Sequence, residues 1–348
     1  MKKIKIGDFI FEKNSKPFIV GEVGVNHNGE LKKAFQMIEE AKKIGLNAIK
    51  FQTFKAKEFC GDPSQIYTYK SQGKEITEPM IEMFSRYEFA NDEWGKIKEK
   101  CNSEGITFLS TPQNYSDLEL LLKLGIDAIK VGSDDLTNLP LLKKYSSTNL
   151  PIILSSGMST LDEISDALNN VGFFDGYPTI LLVTTSQYPT PNKDVNLLKF
   201  HTLTEQFPDL PLGFSDHTIG NTAASIACGM GSIFFEKHFT LDCNSNGPDH
   251  WFSANPEQLK KWKNSIITSF EMLGSPEVKP TENEIANKNE FRRYIVAKKS
   301  IMLGDLFSNE NLELKRISGG NGLTGQMFEK LLNMKSNKNY KKGEKIQF

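Results

Sequence analysis

Eight short apolar runs recur along the first part of the chain, and this rhythm restricts the fold more than any other feature. Each run has the length and composition of a buried parallel strand, with polar residues at its carboxyl end. Helical patterns separate most of the runs; for example, Leu31, Ala34, Ile38 and Ala41 share one face of a helix. The runs span residues 17–25, 47–54, 106–111, 127–133, 151–157, 178–186, 211–217 and 232–239.

Eight strands that alternate with helices predict an α/β fold of the (β/α)8 (TIM) barrel type. A doubly wound parallel sheet is the rival architecture. That fold normally carries a glycine-rich phosphate loop, and the sequence contains neither a GxGxxG motif nor a P-loop motif. The barrel is therefore the preferred prediction, with its chemistry at the carboxyl ends of the strands.

The pattern changes after about residue 275, which predicts a second domain. Residues 1–275 form the predicted barrel domain, and residues 1–16 within it form a short strand-like lead. Residues 276–290 are polar and charged and are predicted to be a linker. Residues 291–348 contain short alternating apolar segments, which indicate a small β-rich domain. A domain of this size buries little core alone, so we expect it to need a partner surface.

One connection between predicted strands is long. Residues 55–90 carry tyrosines, lysines and an arginine without a clean helical or strand period. A loop of this length in a compact domain is usually functional or disordered. Because the connection follows the second predicted strand, we expect it to lie over the mouth of the barrel.

Composition and charge argue against several classes of partner. The 348-residue chain has a formal net charge of −1 and a pI of about 6.6, so its overall charge does not favour nucleic acid or an acidic membrane. No apolar run approaches the roughly 18 residues of a membrane span. The four cysteines are far apart and form no CxxC motif, which argues against a zinc knuckle or a disulfide framework. These features predict a cytoplasmic protein without nucleic-acid or membrane partners.

Two of the five histidines, His217 and His238, each follow an apolar run at an equivalent position. In a parallel barrel their side chains would meet at one mouth, and a pair of neutral imidazoles suits a divalent first-row metal. Asp216 and Glu236 flank them and are predicted to orient the rings as hydrogen-bond acceptors. The alternative is that each histidine is an isolated core or loop residue.

Two lysines, Lys50 and Lys130, interrupt apolar strands in the sequences AIKFQ and AIKVGS. A lysine inside a barrel is expensive to bury without a compensating negative charge. With Ser133, Ser155 and Ser215 at neighbouring strand ends, the two lysines predict a pocket for a phosphate group. The alternative is that each lysine pairs with a structural carboxylate.

Glu22 occupies the corresponding position on the first predicted strand. It can act as a catalytic carboxylate or pair with one of the lysines, and the residues alone leave both interpretations open. Together the lysines, hydroxyls, carboxylates and histidines predict chemistry on a phosphorylated or carboxylated small molecule. They do not name the reaction.

A series of short motifs occurs in a fixed order along the chain. In this combination they resemble the sialic acid synthases, which condense phosphoenolpyruvate with an N-acylated mannose-type sugar to make a nine-carbon 2-keto acid. Residues 296–322 resemble the antifreeze-like (SAF) domain of that family. The motifs are GEVGVNHNG (21–29), KFQ (50–52), FLSTP (108–112), IKVGS (129–133), ILSSGM (153–158), TTSQYPTP (184–191), GFSDHT (213–218), EKHFT (236–240) and GPDH (247–250).

The resemblance implies roles for individual residues. His217 and His238 match metal ligands, usually for Mn2+, with Mg2+ or Co2+ as alternatives. The implied catalytic residues are Glu22, Lys50, Lys130 and Asp135. The implied contacts to phosphoenolpyruvate and to an amino-sugar acceptor are Gln52, Thr111, Ser133, Ser155, Ser186, Tyr188, Ser215, Asp249 and Arg316.

The resemblance also implies a homodimer with a swapped small domain. Arg316 matches an arginine that the small domain inserts into the barrel mouth of the other subunit. It precedes the glycine-rich segment ISGGNG, and this part of the sequence predicts a loop. Such a loop could carry the side chain into a neighbouring pocket.

Three positions depart from the family pattern. Asp135 stands where the family often has Glu, Thr184 where it often has Cys, and Ser186 where some members have an Asn that touches the sugar. Because of these differences, the sequence does not identify the acceptor sugar. N-acetylneuraminate synthase is the first expectation and N,N'-diacetyllegionaminate synthase the second. The alternatives are a pseudaminate synthase, another phosphoenolpyruvate-condensing barrel and a non-catalytic carbohydrate-binding protein.

Overall fold

The computed structural model describes residues 3–12 and 15–347, and most of its strands belong to one eight-stranded parallel sheet. The others form short antiparallel pairs. In chain order the strands are β1 (Ile4–Ile6), β2 (Phe9–Phe11), β3 (Phe18–Gly24), β4 (Ala48–Thr53), β5 (Ile66–Ser71), β6 (Lys74–Pro79), β7 (Thr107–Pro112), β8 (Ile129–Val131), β9 (Ile152–Ser155), β10 (Thr179–Val183), β11 (Leu212–Asp216), β12 (Phe234–His238), β13 (Arg293–Ala297) and β14 (Leu312–Arg316).

The large sheet has the strand order of a (β/α)8 barrel. Its strands run β7-β4-β3-β12-β11-β10-β9-β8, which is the circular order of eight consecutive strands. β7 and β8 lie side by side without a hydrogen-bonded ladder and complete the circle. Each of the eight predicted apolar runs coincides with one of these strands, although β7 ends one residue beyond its run, so the predicted barrel is confirmed.

Helices follow the barrel strands and cover their outer faces. Thr160 caps one of them together with Glu163 in a capping box, which stabilises its first turn. None of the helices in the described residues is long and apolar enough to cross a membrane. The helices are α1 (Leu31–Ile44), α2 (Ala56–Phe59), α3 (Met80–Ser85), α4 (Asn91–Glu104), α5 (Tyr115–Lys123), α6 (Leu139–Ser146), α7 (Leu161–Val171), α8 (Lys199–Gln206), α9 (Thr222–Gly229), α10 (Pro256–Leu273), α11 (Glu282–Phe291) and α12 (Phe328–Leu331).

Side chains alternate between two hydrophobic layers, since successive residues of a strand point to opposite faces. Outward residues such as Ile19, Phe51 and Phe235 pack in the main core, together with residues of the helices. Inward residues form an apolar floor inside the barrel. The floor consists of Phe18, Val20, Ala48, Leu109, Ala128, Ile153, Ile180, Leu182 and Phe234.

The amino-terminal lead is an antiparallel hairpin of β1 and β2. Ile4, Ile6 and Phe11 are buried in the same cluster as Phe18 and Phe234, which begin two barrel strands. The hairpin therefore closes the amino-terminal end of the barrel. Residues 1–2 and 13–14 of the predicted lead lie outside the described residues.

The connection 55–90 differs from the irregular loop that its lack of period indicated. It contains α2, α3 and a hairpin of β5 and β6, whose turn at Gln72 and Gly73 has two residues with positive φ. Such two-residue turns match the twist of paired strands. Most residues of β5 are exposed, so its sequence lacks the apolar alternation by which strands are recognised.

Residues 275–348 form a second compact unit. β13 and β14 pair antiparallel, and Ile295, Phe307, Leu312, Tyr340 and other apolar side chains make a small core. The predicted linker 276–290 contains most of α11, whose side chains are exposed. A capping box at its amino-terminal end stabilises this helix, and such a box forms without tertiary packing.

Candidate active site

A polar layer lies directly above the apolar floor, at the carboxyl ends of the barrel strands. On every barrel strand the next inward position beyond the floor is polar, since inward positions recur every second residue. All of these side chains are buried. This polar ring consists of Glu22, Lys50, Thr111, Lys130, Ser155, Thr184, Ser215 and Glu236.

Lys50 lies between the two carboxylates of the polar ring. Its Nζ is 2.7 Å from Oε2 of Glu22 and 3.7 Å from Oε2 of Glu236. Gln52 Nε2 donates to Oε1 of Glu22 at 3.1 Å. Burial opposes the charge of Lys50, but the two carboxylates raise its pKa above the usual value. Burial raises the pKa of Glu22 in spite of the lysine. Lys50 thus has structural counter-charges within the site itself.

Lys130 has a different environment. Its Nζ donates to Ser155 Oγ at 2.7 Å and to the Val131 carbonyl at 3.0 Å. Among the described residues no carboxylate forms an ion pair with it. Burial lowers the pKa of Lys130 to about 8, opposed in part by Glu236. A buried cation that is not ion-paired with a carboxylate is a favourable binding site for an anion.

His217 and His238 meet at the same mouth, with ring centroids 5.6 Å apart. Nδ1 of His217 lies 2.8 Å from the Thr185 carbonyl, and donation to this acceptor places the proton on Nδ1. Nε2 of His217 therefore carries the lone pair, and Ser215 Oγ lies 3.3 Å from it. Nδ1 of His238 is buried without a hydrogen-bond partner. Burial lowers the pKa of His217 to about 4 and that of His238 well below its usual value, so both rings are neutral at pH 7.

The expectation that Asp216 and Glu236 orient the histidine rings is wrong. Asp216 faces outward, where it pairs with Lys237 at 3.0 Å and accepts from Trp262 Nε1 at 2.8 Å. Glu236 faces inward but accepts from Ser215 Oγ at 3.0 Å rather than from a histidine. For Asp216 the alternation of side chains along a strand explains the difference, because a residue next to an inward histidine must point outward.

Tyr188 and Asp249 lie beside the two histidines. The ring centroid of Tyr188 is 4.2 Å from that of His217 and 5.1 Å from that of Phe252. Oδ2 of Asp249 is 3.9 Å from Nδ1 of His238. Burial raises the pKa of Asp249 to about 7, and the charge of Glu22 acts in the same direction. Tyr188 and Asp249, two of the implied substrate contacts, therefore adjoin the two implied metal ligands.

Ser133 and Ser186 converge on the backbone of Gly157. The Gly157 N–H donates to Ser133 Oγ at 3.1 Å. A Cβ at this glycine would lie 2.6 Å from Ser133 Oγ and also overlap Ser186 Oγ. Only a residue without a side chain lets the two hydroxyls approach so closely.

Gly157→Ala is expected to lower the free energy of unfolding by about 1–3 kcal/mol, because the added methyl group overpacks a buried contact. Urea denaturation measures the effect. Gly229→Ala is the matched control, since Gly229 is helical and its Cβ would meet nothing within 4 Å. Equal stability of the two variants would show that the serines move aside without cost.

The described residues that line the cavity above the polar ring include neither Asp135 nor Arg316. Oδ1 of Asp135 accepts from Asn138 Nδ2 at 2.9 Å, and its neighbour Asp134 lines the cavity in its place. Arg316 is the exposed last residue of β14 in the second unit. Arg316 is therefore a strand residue paired with Arg293, and the predicted loop begins only after it.

A cavity of about 900 Å³ opens above the polar ring. Besides polar-ring residues and both histidines, it is lined by aromatic side chains that the sequence motifs did not indicate. The density of aromatic residues in 54–87 was the available signal. These additional lining residues are Phe54, Phe59, Tyr67, Tyr69, Phe84, Trp251 and Phe252.

The sequence pattern of the NeuB family matches residues 37–278, more than half of the chain. The chain belongs to the NeuB family. The resemblance to the sialic acid synthases is thereby confirmed, whereas the antifreeze-like identity of the second unit stays a prediction.

Three individual proteins illustrate this membership. The chain is 40% identical to the uncharacterized protein MJ1065 of Methanocaldococcus jannaschii, over 96% of this chain and 94% of that protein. It is 38% identical to the N,N'-diacetyllegionaminic acid synthase of Campylobacter jejuni, over 95% of this chain and 99% of the relative. The crystal structure of N-acetylneuraminic acid (sialic acid) synthetase from Leptospira borgpetersenii, in complex with citrate, matches with a TM-score of 0.74 and 30% identity. This match covers 83% of the chain and 96% of that structure.

Proposed function

We propose that this NeuB-family member is a nonulosonic acid synthase that condenses phosphoenolpyruvate with an N-acylated mannose-type sugar in its open aldehyde form. The observation that carries the proposal is the polar ring, where two buried lysines and two buried carboxylates face two neutral histidines below a cavity of about 900 Å³. The Campylobacter relative covers nearly the whole chain and is a diacetyllegionaminic acid synthase. It favours that product over N-acetylneuraminate, which the motifs had placed first.

The phosphate of phosphoenolpyruvate is proposed to bind at Lys130. This lysine offers a buried charge without a carboxylate partner, and Ser155 Oγ is 2.7 Å from its Nζ. Lys50 adds a second positive charge, and Thr111 Oγ1 lies 3.4 Å from it. Hydrogen bonds from charged donors to phosphate oxygens are about twice as strong as neutral ones.

The affinity for phosphoenolpyruvate is expected to fall as the pH rises through about 8. Lys130 loses its proton near this pH in the free protein, whereas bound phosphate raises the pKa of the lysine. Below about pH 8 the lysine is charged in both the free protein and the complex with phosphoenolpyruvate. A phosphate ester, with a second pKa of about 6, is already ionised there. Calorimetric titrations from about pH 6.5 to 9.5, in buffers of different ionisation enthalpy, measure the proton uptake. Lys130→Arg is the control, and an equal pH dependence in that variant would contradict this assignment.

The site fits a divalent metal ion, for which we propose Mn2+, with Mg2+ or Co2+ as alternatives. The unpartnered Nδ1 of buried His238 and the unprotonated Nε2 of His217, which has only Ser215 Oγ at 3.3 Å, are neutral imidazole ligands of the kind that such ions prefer. The described residues contain no group of three or more His, Cys, Asp or Glu side chains that could hold a metal. The two histidines would therefore be its protein ligands, with the remaining positions left to solvent and substrate.

Charge balance also supports a cation. Among the described residues that line the cavity, four carboxylates face three lysines, so the cavity lacks positive charge for an anionic substrate. When bound, a divalent ion would supply Lewis-acid polarisation of the aldehyde oxygen.

The proposed reaction makes one carbon–carbon bond, and at the carbon that bears the phosphate it makes one carbon–oxygen bond to water and breaks the one to phosphate. The enol carbon of phosphoenolpyruvate attacks the aldehyde carbon, and water adds to the carbon that bears the phosphate. The first proton that the water loses balances the one that the new alkoxide gains. Phosphate then leaves and takes up the proton of the remaining hydroxyl, which gives the 2-keto acid. Glu22 is the proposed acceptor of the water proton, because burial raises its pKa and Lys50 and Gln52 hold both of its oxygens.

We also propose a homodimer in which Arg316 of one subunit serves the active site of the other. Arg316 is exposed at the end of β14, and its fixed fork of donors suits amide and hydroxyl oxygens of an acceptor. The small core of the second unit supports the need for a partner surface.

Mixing the inactive variants His217→Ala and Arg316→Ala under subunit exchange is expected to restore about a quarter of the wild-type activity. In a mixed dimer one site would carry both lesions and the other neither. Native mass spectrometry verifies the exchange. A fully active Arg316→Ala protein, or no recovery despite exchange, would contradict the shared site.

The proposed function is tested with phosphoenolpyruvate, Mn2+ and a panel of acceptors. Phosphate release and the product mass are measured for 2-acetamido-2-deoxymannose, its 6-phosphate and 2,4-diacetamido-2,4,6-trideoxymannose. A nine-carbon keto acid supports the proposal. Turnover only with an aldose phosphate that lacks nitrogen would favour a 3-deoxy sugar acid synthase. Sugar binding without turnover of any acceptor would favour a carbohydrate-binding protein.

A further inference from the structure

Asp216 and Lys237 form an ion pair on the outer side of the barrel, and each directly precedes a site histidine. They face each other in the register of the parallel strands β11 and β12, with Lys237 Nζ 3.0 Å from Asp216 Oδ2. Both side chains are buried. Trp262 of α10 contacts both, since its Nε1 donates to Asp216 at 2.8 Å and its ring centroid lies 5.8 Å from Lys237 Nζ. The function proposed above uses neither side chain.

The position of this pair along the strands coincides with the position of the histidines. On β11 and β12 the residue after the polar ring is charged, and the next residue is a histidine. None of the other six described barrel strands has a charged residue directly after its polar-ring residue. The residues at this position on those strands are Val23, Phe51, Pro112, Val131, Ser156 and Thr185.

Asp216 closes a tight turn around His217. Its Oδ1 accepts from the Thr218 N–H at 2.9 Å and from Thr218 Oγ1 at 2.7 Å. An aspartate that accepts from the backbone two residues ahead makes an Asx turn, which constrains the residue between them. That residue is His217, whose carbonyl also accepts from the Thr190 N–H at 2.8 Å. Asp216 therefore fixes the backbone from which the His217 ring projects.

Lys237 connects this turn to the neighbouring strand. Besides its ion pair with Asp216, its Nζ donates to the Thr218 carbonyl at 2.6 Å. The ammonium group thus contacts both ends of the turn around His217, while the backbone of Lys237 continues directly into His238. We call these contacts the Asp216–Lys237 bridge. It joins the two backbone segments whose imidazole centroids lie 5.6 Å apart.

Stability alone does not explain an ion pair at this place. Desolvation of two buried charges offsets most of their attraction, so apolar side chains of similar volume often give equal or greater stability. The preceding outward residues, Phe214 and Phe235, are apolar core residues. A buried polar network whose members are hydrogen-bonded instead rigidifies one arrangement of the chain. Both carboxylate oxygens of Asp216 are satisfied in this way.

We propose that Asp216 and Lys237 are positioning residues, which hold His217 and His238 at the separation that a divalent metal ion requires. Among the described residues neither side chain forms a hydrogen bond with an imidazole, so both act through the backbone of the two histidines. This inference rests on the proposed metal site and adds the residues that determine its geometry.

The main test uses the double variant Asp216→Asn with Lys237→Met, which removes the bridge without leaving an unpaired buried charge. Calorimetry with Mn2+ alone measures metal affinity, at a temperature at which circular dichroism shows each protein folded. The Kd for Mn2+ is expected to rise by about tenfold to a hundredfold, as for other residues that support metal ligands. The affinity for phosphoenolpyruvate without metal is expected to stay unchanged, because Lys50 and Lys130 lie on other strands.

A matched control separates positioning from a general loss of packing. Ser110 shares a buried hydrogen bond of 2.7 Å with Thr53, between β7 and β4, which lead into no histidine. Ser110→Ala is expected to lower stability and to keep the wild-type affinity for Mn2+. Asp216→Asn alone is expected to weaken Mn2+ binding. The double variant is expected to lose less than the sum of its two single changes, because both break the same bridge.

A second measurement needs no metal. Nitrogen-15 NMR of the histidine rings reports their tautomers, and His217→Ala assigns the His217 signals. Wild-type His217 is expected to show the Nδ1–H form, which donates to the Thr185 carbonyl. The double variant is expected to show a mixture of tautomers at His217, because its backbone is no longer fixed. Ser110→Ala is expected to keep the wild-type spectrum.

The outcomes separate this inference from the proposed function. If the wild-type protein binds no Mn2+, the proposed metal site fails, and the His217 tautomer in the folded double variant then decides the inference. If the wild-type protein binds Mn2+ and the folded double variant binds it equally well, only the inference is overturned. An equal loss of Mn2+ affinity in Ser110→Ala also overturns it, since the effect would then be general.

Discussion

His238→Ala and His217→Ala are each expected to lower kcat by about a thousandfold or more while leaving the fold intact. A metal-bound carbonyl gains several kcal/mol of transition-state stabilisation, and each 1.36 kcal/mol corresponds to about a factor of ten in rate. Neither imidazole carries an ion pair that the fold requires, since both are neutral. Steady-state phosphate release measures the loss, and calorimetry with Mn2+ alone measures metal binding without turnover.

The exposed His201 on α8 provides the matched control. His201→Ala is expected to keep wild-type activity and wild-type affinity for Mn2+. Circular dichroism verifies that each variant is folded. If either site variant keeps near-wild-type turnover after chelation, with no metal added back, the two-histidine metal site is wrong.

Lys50→Met is expected to have the largest effect on stability and also to abolish productive binding of phosphoenolpyruvate. Removal of the lysine leaves the buried carboxylates of Glu22 and Glu236 without their shared partner. Breaking a buried pair in this way costs about 3–5 kcal/mol. Without the lysine, the two buried carboxylates have a raised pKa in the folded state, so they take up protons as the pH falls. Protonation removes the uncompensated charge, and the loss of unfolding free energy should therefore be smaller at low pH. Denaturant unfolding at several pH values measures it.

Two further variants test whether the lost ion pair causes the destabilisation of Lys50→Met. Lys55→Met removes a half-buried lysine that pairs with Glu88, and it is expected to cost about 0–1 kcal/mol. The double variant Lys50→Met with Glu22→Gln is expected to regain much of the stability without regaining phosphoenolpyruvate affinity. A stable Lys50→Met protein with normal affinity would contradict both roles of the lysine.

Much of the fold could be read from apolar runs because a parallel barrel buries its strands on both faces. Lysines inside such runs, at Lys50 and Lys130, indicated the charged interior before any contact was known. The expectation for Asp216 failed although the sequence contained the signal. His217 and Asp216 are neighbours in a strand, so at most one of them can face the barrel interior.

The 55–90 connection was predicted less well, for a physical reason. A half-exposed hairpin gains its stability from cross-strand pairs such as Thr68 with Thr77, not from an apolar face. Such pairs appear only once the register is known. The aromatic residues that line the cavity were missed for the same reason, because Phe54, Phe59 and Phe84 belong to three different elements or their flanks.

The sequence by itself determined the order of strands and helices, the polar position above each apolar one and the motifs that resemble the sialic acid synthases. These features depend on local periodicity and residue type, which a single chain displays directly. Only the tertiary structure decided which charges meet. It placed Lys50 between Glu22 and Glu236 and brought the Thr185 carbonyl to His217. It also gave Lys130 no ion pair with any carboxylate that the structure describes, although Glu236 lies near enough to act on its charge. Such contacts join residues far apart in sequence, and their distances depend on how the barrel closes rather than on any local pattern.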